Sequence, residues 1–318
     1  MKPTNNEKNL PKMIVCVSVA TVWTEPTSPR YIDQLAVNNP VDMPGWIKSA
    51  TYAEQLALCK KNLVQTQLLY GTEVMILEEK DEWAHVLIPS QESRKDDRGY
   101  PGWVPMRQLS SPTIAYDEGA LIAQVTSPIV TVAKTAQALK KKNGDHGLAV
   151  SFLTRFPVVK QTEEFVEVVT PHGNGYLKTD DVRLFTKEDE LLTHQDQSIL
   201  EVAKQFLGLP YLWGGMSAFG FDCSGFAYSM YRYYGITLPR DASDQVKKGT
   251  VIEREDLQVG DLLFFAYEKG KGAVHHVGMY AGDDQMIHSP KTGKSIEIIP
   301  LTNSSYEEEL IGGRRYLS

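Results

Sequence analysis

Phe221-Asp222-Cys223-Ser224-Gly225-Phe226 sets a single cysteine between an aspartate and two small residues, where a new apolar pattern begins. Phe226, Ala227, Met230, Tyr231 and Tyr234 recur at helical spacing, and Gly235 then Pro239 close the segment. The spacing predicts one amphipathic helix from about Cys223 to Tyr234, with Asp222 as its N-cap. A cysteine in a first helical turn meets unsatisfied backbone N–H groups and the positive end of the helix dipole, and both favour thiolate over thiol. Cys223 is therefore a nucleophile candidate, against the plainer alternative of a small buried apolar residue.

Two later segments weigh against that alternative. Asp261-Leu262-Leu263-Phe264-Phe265-Ala266 suits a buried strand, and Val274-His275-His276-Val277-Gly278-Met279-Tyr280 suits the next. Strand residues alternate faces, so only one of His275 and His276 can point at Cys223. After the turn Gly282-Asp283-Asp284, the segment Met286-Ile287-His288-Ser289-Pro290 is expected to pair antiparallel to the second strand and bring His288 beside a histidine there. A thiol, an imidazole to take its proton and a third polar group to hold the imidazole are the parts of cysteine nucleophilic catalysis.

With Leu238-Pro239-Arg240-Asp241 and Gly260-Asp261-Leu262-Leu263-Phe264-Phe265 added, these motifs resemble the NlpC/P60 family of papain-like cell-wall peptidases over roughly residues 195 to 318. The resemblance implies that His276, immediately before Val277-Gly278-Met279-Tyr280, is the catalytic histidine and that His288 orients it. His275 is then the bystander.

The remainder of the 318-residue chain calls for further domains. A net charge of −7, from 33 basic and 40 acidic residues, argues against a nucleic-acid binder. No run approaches the ~18 apolar residues of a membrane span. Residues 1–12 are polar and read as a disordered lead-in. Met13 to Ala20 faintly imitates a signal peptide, but its β-branched content fits a strand, and Val15 to Trp23 resembles the first SH3-like strand of one branch of the family. Three cysteines without paired spacing fit a reducing compartment.

Residues 30–62 read as a loop followed by a helix from Ala50 to about Lys61, interrupting a small barrel. Its strands resume at Thr66–Gly71, Glu73–Glu78, Trp83–Ile88 and Tyr100–Pro105. Trp83 and Trp103 are expected in the core. From about Ala115 to Phe185 a second module of this type runs through Ile129–Ala133, Phe156–Val159, Phe165–Val169, a turn at Gly173-Asn174-Gly175 and Tyr176-Leu177. Lys140-Lys141-Lys142-Asn143-Gly144 reads as a solvated hairpin tip, Thr186 to His194 as a charged linker and Ser198 to Leu207 as a helix.

The expected fold class is α+β, two N-terminal SH3-like β-barrels followed by a papain-like NlpC/P60 catalytic domain. The expected division is a lead-in at 1–12, SH3-like domain 1 with its helical insertion at 13–112, SH3-like domain 2 at 113–186 and the peptidase domain at 187–318.

Asn39-Pro40-Val41-Asp42, Thr66-Gln67, Gly99-Tyr100-Pro101-Gly102-Trp103 and Gly208-Leu209-Pro210-Tyr211 narrow the resemblance to the γ-D-glutamyl-L-diamino acid endopeptidases, also called dipeptidyl-peptidase VI. Those enzymes cut murein stem peptides after L-Ala-γ-D-Glu when the L-alanine amine is free. A fixed carboxylate in a closed pocket reads such an ammonium, because an amidated nitrogen would leave that charge unpaired. The resemblance puts Asp241 in that role, Tyr100 at the pocket end, Trp213 in an aromatic wall and Asp222 and Ser224 among the substrate contacts. The Cys223 backbone N–H is the expected oxyanion donor.

Two positions depart from the family, Gln65 where a glutamate can stand and Ala242 where a serine often follows the aspartate. The first removes a charge that could hold the amine, so strictness for free L-alanine is expected to be weaker. No metal and no cofactor are expected; a zinc site from Cys223, His276 and His288 lacks a paired motif and an acidic fourth ligand. Acyl transfer or amidase chemistry on the same residues, and a non-enzymatic wall-binding role, are the competing functions. The expected partner is a murein tripeptide or related stem peptide, and the expected state a monomer. A cytoplasmic role in wall-peptide recycling is expected; the alternative is a secreted or wall-bound enzyme acting on intact peptidoglycan.

Overall fold

The computed structural model describes residues 10–112, 119–140, 147–186, 188–189 and 198–316. Most of the lead-in, the tip beyond Lys140 and most of the charged linker lie outside the described residues. The chain divides into two compact units, residues 1–89 with 98–190, and residues 90–97 with 191–318.

In the first unit, seven strands form one antiparallel sheet in the order Val64–Leu69, Val19–Trp23, Tyr100–Pro105, Trp83–Ile88, Glu73–Lys80, Lys12–Val15 and Leu109–Ser110. Val15, Val22, Leu68, Val74, Val86, Tyr100 and Val104 belong to its buried core. The single N-terminal strand expected from the apolar run is two strands. Lys12–Val15 pairs with Glu73–Lys80, whereas Val19–Trp23 pairs with Val64–Leu69. The chain breaks at Cys16 to Ser18 because it leaves one partner for another, a corner that hydropathy alone does not mark.

The insertion is also more helical than expected. Helix Met43–Ser49, N-capped by Asp42, precedes helix Tyr52–Lys60, where Thr51 and Glu54 form a capping box. Between them and the barrel, fully buried Asp33 accepts from Arg30 Nε at 2.7 Å and from the Trp46 indole at 2.9 Å.

A second small barrel in the same unit has a five-stranded sheet, in the order Gly173–Lys178, Phe165–Thr170, Arg155–Gln161, Ile122–Val125 and Val182–Phe185, with the pair Leu148–Ser151 and Ile129–Val132. Its hairpin turns at Pro171 and His172, and the expected turn at 173–175 is in fact strand, Gly173 to Gly175 pairing with Thr170 to Val168. A Cβ on Gly175 would meet Val132 Cγ1 at 2.5 Å, so glycine serves close packing at that position.

The second unit is a six-stranded antiparallel sheet in the order Thr250–Ile252, Leu310–Arg315, Leu262–Ala266, Val274–Gly282, Gln285–His288 and Glu297–Pro300. Helix Cys223–Tyr233 packs on the strand Val274–Gly282 and is almost wholly buried. The strand Leu262–Ala266 is buried at every position, as its unbroken apolar run predicts. Residues 90–97 lie in sequence between two strands of the first barrel yet belong to this unit. The Tyr228 hydroxyl donates to the Ser90 carbonyl at 2.6 Å, and the Arg240 N–H donates to the Glu92 carbonyl at 2.9 Å.

Candidate active site

Cys223 opens its helix, and Asp222 caps it with extended backbone, accepting from the Gly225 N–H at 2.7 Å. The helix is tied to the sheet at both ends. At one, the Ser289 hydroxyl donates to the Phe221 carbonyl at 2.8 Å; at the other, the Tyr231 hydroxyl donates to the Gly260 carbonyl at 2.5 Å. The first tie holds the residue after His288 beside the strand that leads into Cys223. A Cβ on Gly225 would meet the Gly215 carbonyl oxygen at 2.1 Å, so only glycine lets the first turn approach the preceding hairpin this closely.

The pairing of Val274–Gly282 shifts at His275, where Phe265 stands opposite His276 and Ala266 opposite Val274, so the expected alternation is interrupted at the two adjacent histidines. His276 is buried, and its Nε2 lies 2.8 Å from His288 Nδ1. His275 stacks on Tyr267 with ring centres 4.0 Å apart, bonds Glu309 at 3.1 Å and keeps its ring centre 6.4 Å from that of His276. The Val277 N–H, next in the chain after His276, bonds the Cys223 sulfur, as does the Ser224 N–H. With Nε2 of His276 engaged by His288, Nδ1 is the nitrogen left for the thiol.

The charge state differs from the expected thiolate. Cys223 is partly exposed, but burial pushes its thiol up to about 12 from the usual 9.0, and the Asp222 carboxylate adds to this against the opposing effects of the Val277 and Ser224 amides and Arg240. Burial also holds His276 well below its ordinary 6.5, helped by His288 and His275, and lowers His288 to about 4. Desolvation is the largest influence on all three groups, opposes the helix terminus and favours the neutral thiol and neutral imidazoles.

The Asp222 and Ser224 side chains, both expected among the substrate contacts, also bond within the protein. Asp222 Oδ2 accepts from Arg240 Nη2 at 2.6 Å and from the Gly214 N–H at 3.0 Å, while Oδ1 takes Gly225, Ser224 and Arg240 Nη1. Ser224 Oγ accepts from the same Nη1 at 2.9 Å. Arg240 is 1% exposed, and an aspartate buried at an N-cap needs such a counter-ion. A lone arginine between Pro239 and Asp241 gave only a faint signal of this.

Asp241 is half-buried at the N-cap of helix Ala242–Gln245 and makes no side-chain capping bond there. Its charge acts on Lys95 of the 90–97 segment. Ala242 is 9% exposed at the first helical position, and Trp213 is partly exposed on the approach to the hairpin Met216–Phe221. Gln65 and Tyr100 belong to the first unit. Gln65 Nε2 donates to Thr24 Oγ1 and Asn62 Oδ1, and Tyr100, 2% exposed, contributes to the barrel core.

Sequence reasoning missed Tyr306. Its ring lies over His276 at 5.0 Å and 27°, edge-on to His288 at 5.2 Å and 85°. Burial pushes its hydroxyl up to about 12, with smaller contributions from Cys223, Glu297 and Glu309. It follows the polar run Asn303-Ser304-Ser305, where no periodicity announces a contact.

Residues 208–315 match the NlpC/P60 family. The chain belongs to the NlpC/P60 family of cysteine peptidases. Residues 61–109 match the bacterial dipeptidyl-peptidase Sh3 domain and residues 130–185 the YKFC SH3b2 domain, so two SH3b domains precede the NlpC/P60 domain. A gamma-D-glutamyl-L-lysine dipeptidyl-peptidase of Bacillus subtilis (strain 168) is 44% identical over 309 residues, 96% of this chain and 98% of that protein. A protein of the same name from Bacillus cereus (strain ATCC 10987 / NRS 248) is 41% identical, over 98% of this chain and 92% of its own length. The crystal structure of an NlpC/P60 family protein from Bacillus cereus ATCC 10987 superimposes with a TM-score of 0.88 at 40% identity, covering 96% of this chain and all of that one.

Proposed function

We propose that this protein hydrolyses the γ-D-glutamyl–diamino acid bond of murein stem peptides that carry a free N-terminal L-alanine, releasing L-Ala-D-Glu. The observation that carries the chemistry is the His276–His288 pair at 2.8 Å, on strands tied to the helix that Cys223 opens. The near full-length likeness to proteins named gamma-D-glutamyl-L-lysine dipeptidyl-peptidase supports the bond.

In this mechanism Cys223 gives its proton to Nδ1 of His276 as sulfur attacks the γ-glutamyl carbonyl. His288 fixes the ring through Nε2, and backbone N–H groups at the helix start receive the developing oxyanion. His276 returns the proton to the leaving amine, and water, deprotonated by the same imidazole, releases L-Ala-D-Glu and restores the thiol. Because both partners start neutral, charge separates only when substrate is in place.

Specificity for the free amine is assigned to Asp241, with Trp213 and Ala242 of the same unit; Tyr100 and Gln65 are assigned as substrate-binding residues of the first unit. Residues 13–112 then contribute to specificity, residues 113–186 form a second SH3-like domain and residues 187–318 carry the chemistry. Recycling of wall peptides in the cytoplasm is the cellular role proposed, and fractionation of the host tests it. Among the described residues no helix is long and apolar enough to cross a membrane.

Purified protein is to be incubated with L-Ala-γ-D-Glu-L-Lys, its diaminopimelate counterpart and their N-acetylated forms, with products read by mass spectrometry. Cleavage of the free peptides alone is expected, and abolished in Cys223→Ala; Asp241→Asn is expected to lower kcat/KM about tenfold or more for free-amine substrates. No cleavage of any peptide overturns the proposal, and equal cleavage of acetylated peptides overturns the role of Asp241.

A further inference from the structure

The His276–His288 pair leaves one proton unaccounted for. If His276 is to accept the thiol proton at Nδ1, its own proton sits on Nε2 and is donated to Nδ1 of His288. A neutral His288 then carries its proton on Nε2. That atom is buried and has no hydrogen-bond partner, in a ring with 0% exposure. A buried N–H without an acceptor costs on the order of 1–3 kcal/mol, so an orphan at the centre of a catalytic pair calls for an explanation.

Strand pairing supplies a candidate acceptor. His288 and Glu297 stand directly opposite each other between Gln285–His288 and Glu297–Pro300, so their side chains share a face of the sheet. Glu297 Oε1 lies 3.9 Å from His288 Nε2, beyond hydrogen-bond length by about one ångström. The Glu297 side chain is 43% exposed and has room to turn. The groups facing the His288 ring are His276 from one neighbouring strand, Glu297 from the other and Tyr306 from the turn before Glu307–Glu309. Of these only Glu297 offers an anionic acceptor on the Nε2 side.

We infer that Glu297 is a positioning residue of the catalytic machinery, which accepts the Nε2–H of His288 and so locks the tautomer that frees Nδ1 of His276 for Cys223. The inference rests on the proposed peptidase mechanism. The carboxylate also stabilises positive charge passing onto the imidazole pair as the thiol ionises.

The test compares wild type, Glu297→Gln and Glu297→Ala in steady-state cleavage of L-Ala-γ-D-Glu-L-Lys across pH, and in proton–nitrogen spectra of protein labelled at histidine nitrogen. Glu297→Ala is expected to lower kcat on the order of tenfold with KM little changed, the lower end of what loss of a carboxylate behind a metal-bound imidazole costs. Glu297→Gln keeps an acceptor oxygen and is expected to retain most of kcat. It loses the charge that favours imidazolium, so the acid limb of its kcat/KM profile moves to lower pH. The His288 Nε2–H resonance, assigned through His288→Asn, is expected to shift in both variants. Coincident acid limbs and an unmoved resonance in Glu297→Gln overturn the inference, even if Glu297→Ala does not fold. If wild type cleaves nothing, the peptidase mechanism falls, while the resonance still decides whether the hydrogen bond exists.

Discussion

Cys223 sits where two opposing influences can be compared directly. A helix start and two backbone amides favour the thiolate, while burial and the neighbouring Asp222 carboxylate favour the thiol, and the balance lies with the thiol at about 12. The sign is that of any buried acid, in which the neutral form persists to higher pH. Alkylation of Cys223 by iodoacetamide in the absence of substrate, followed on its own peptide by mass spectrometry, is therefore expected to be slow near neutrality and still rising at about pH 9. A plateau already reached near neutrality would show a resting thiolate–imidazolium pair. The position of this cysteine at a capped helix start was legible because an aspartate, a lone thiol and an apolar helical period stand in sequence there. Its charge was not legible, since desolvation depends on atoms that local sequence does not bring together.

Helix Cys223–Tyr233 depends on a neighbour that its own periodicity does not reveal. Arg240, from the segment after the helix, closes both oxygens of the Asp222 cap, and Gln245 Nε2 bonds the Ser224 and Pro239 carbonyls. Arg240→Met would keep the aliphatic stem and leave the carboxylate buried without its partner. Stability of the unit is expected to fall by about 3–5 kcal/mol, measured by urea unfolding. A loss under about 1 kcal/mol would mean the pair is not closed in solution. Strands rich in aromatic and aliphatic residues and bounded by turn residues, such as Trp83–Ile88 and Tyr100–Pro105, could be read to the residue. Those built from mixed composition were missed, and Leu310–Arg315 is the main case. It enters the sheet between two other strands by tertiary pairing, with Gly312 and Gly313 at its centre.

At the level of the whole molecule, the order of modules was legible from motifs and the membership of residues 90–97 was not. Their contacts reach Tyr228 and Arg240 across some 140 positions in sequence, and Glu92 pairs with Lys248 at 2.9 Å. A chain beginning at residue 191 would retain Cys223, His276 and His288 but lose these partners, leaving the Tyr228 hydroxyl and the Arg240 amide to find others. Amide hydrogen exchange is expected to show weaker protection of Cys223–Tyr233 in that chain than in the full protein. Equal protection would show that the 90–97 segment adds nothing to the helix.

Multidomain enzymes are often pictured as cassettes that recombination can cut apart and splice to new companions. Here the cassette boundary drawn by the linker is not the boundary drawn by the atoms. A gene segment starting at the linker would inherit the reactive sulfur without part of the shell that supports it, so shuffling is expected to succeed only when the first barrel travels along.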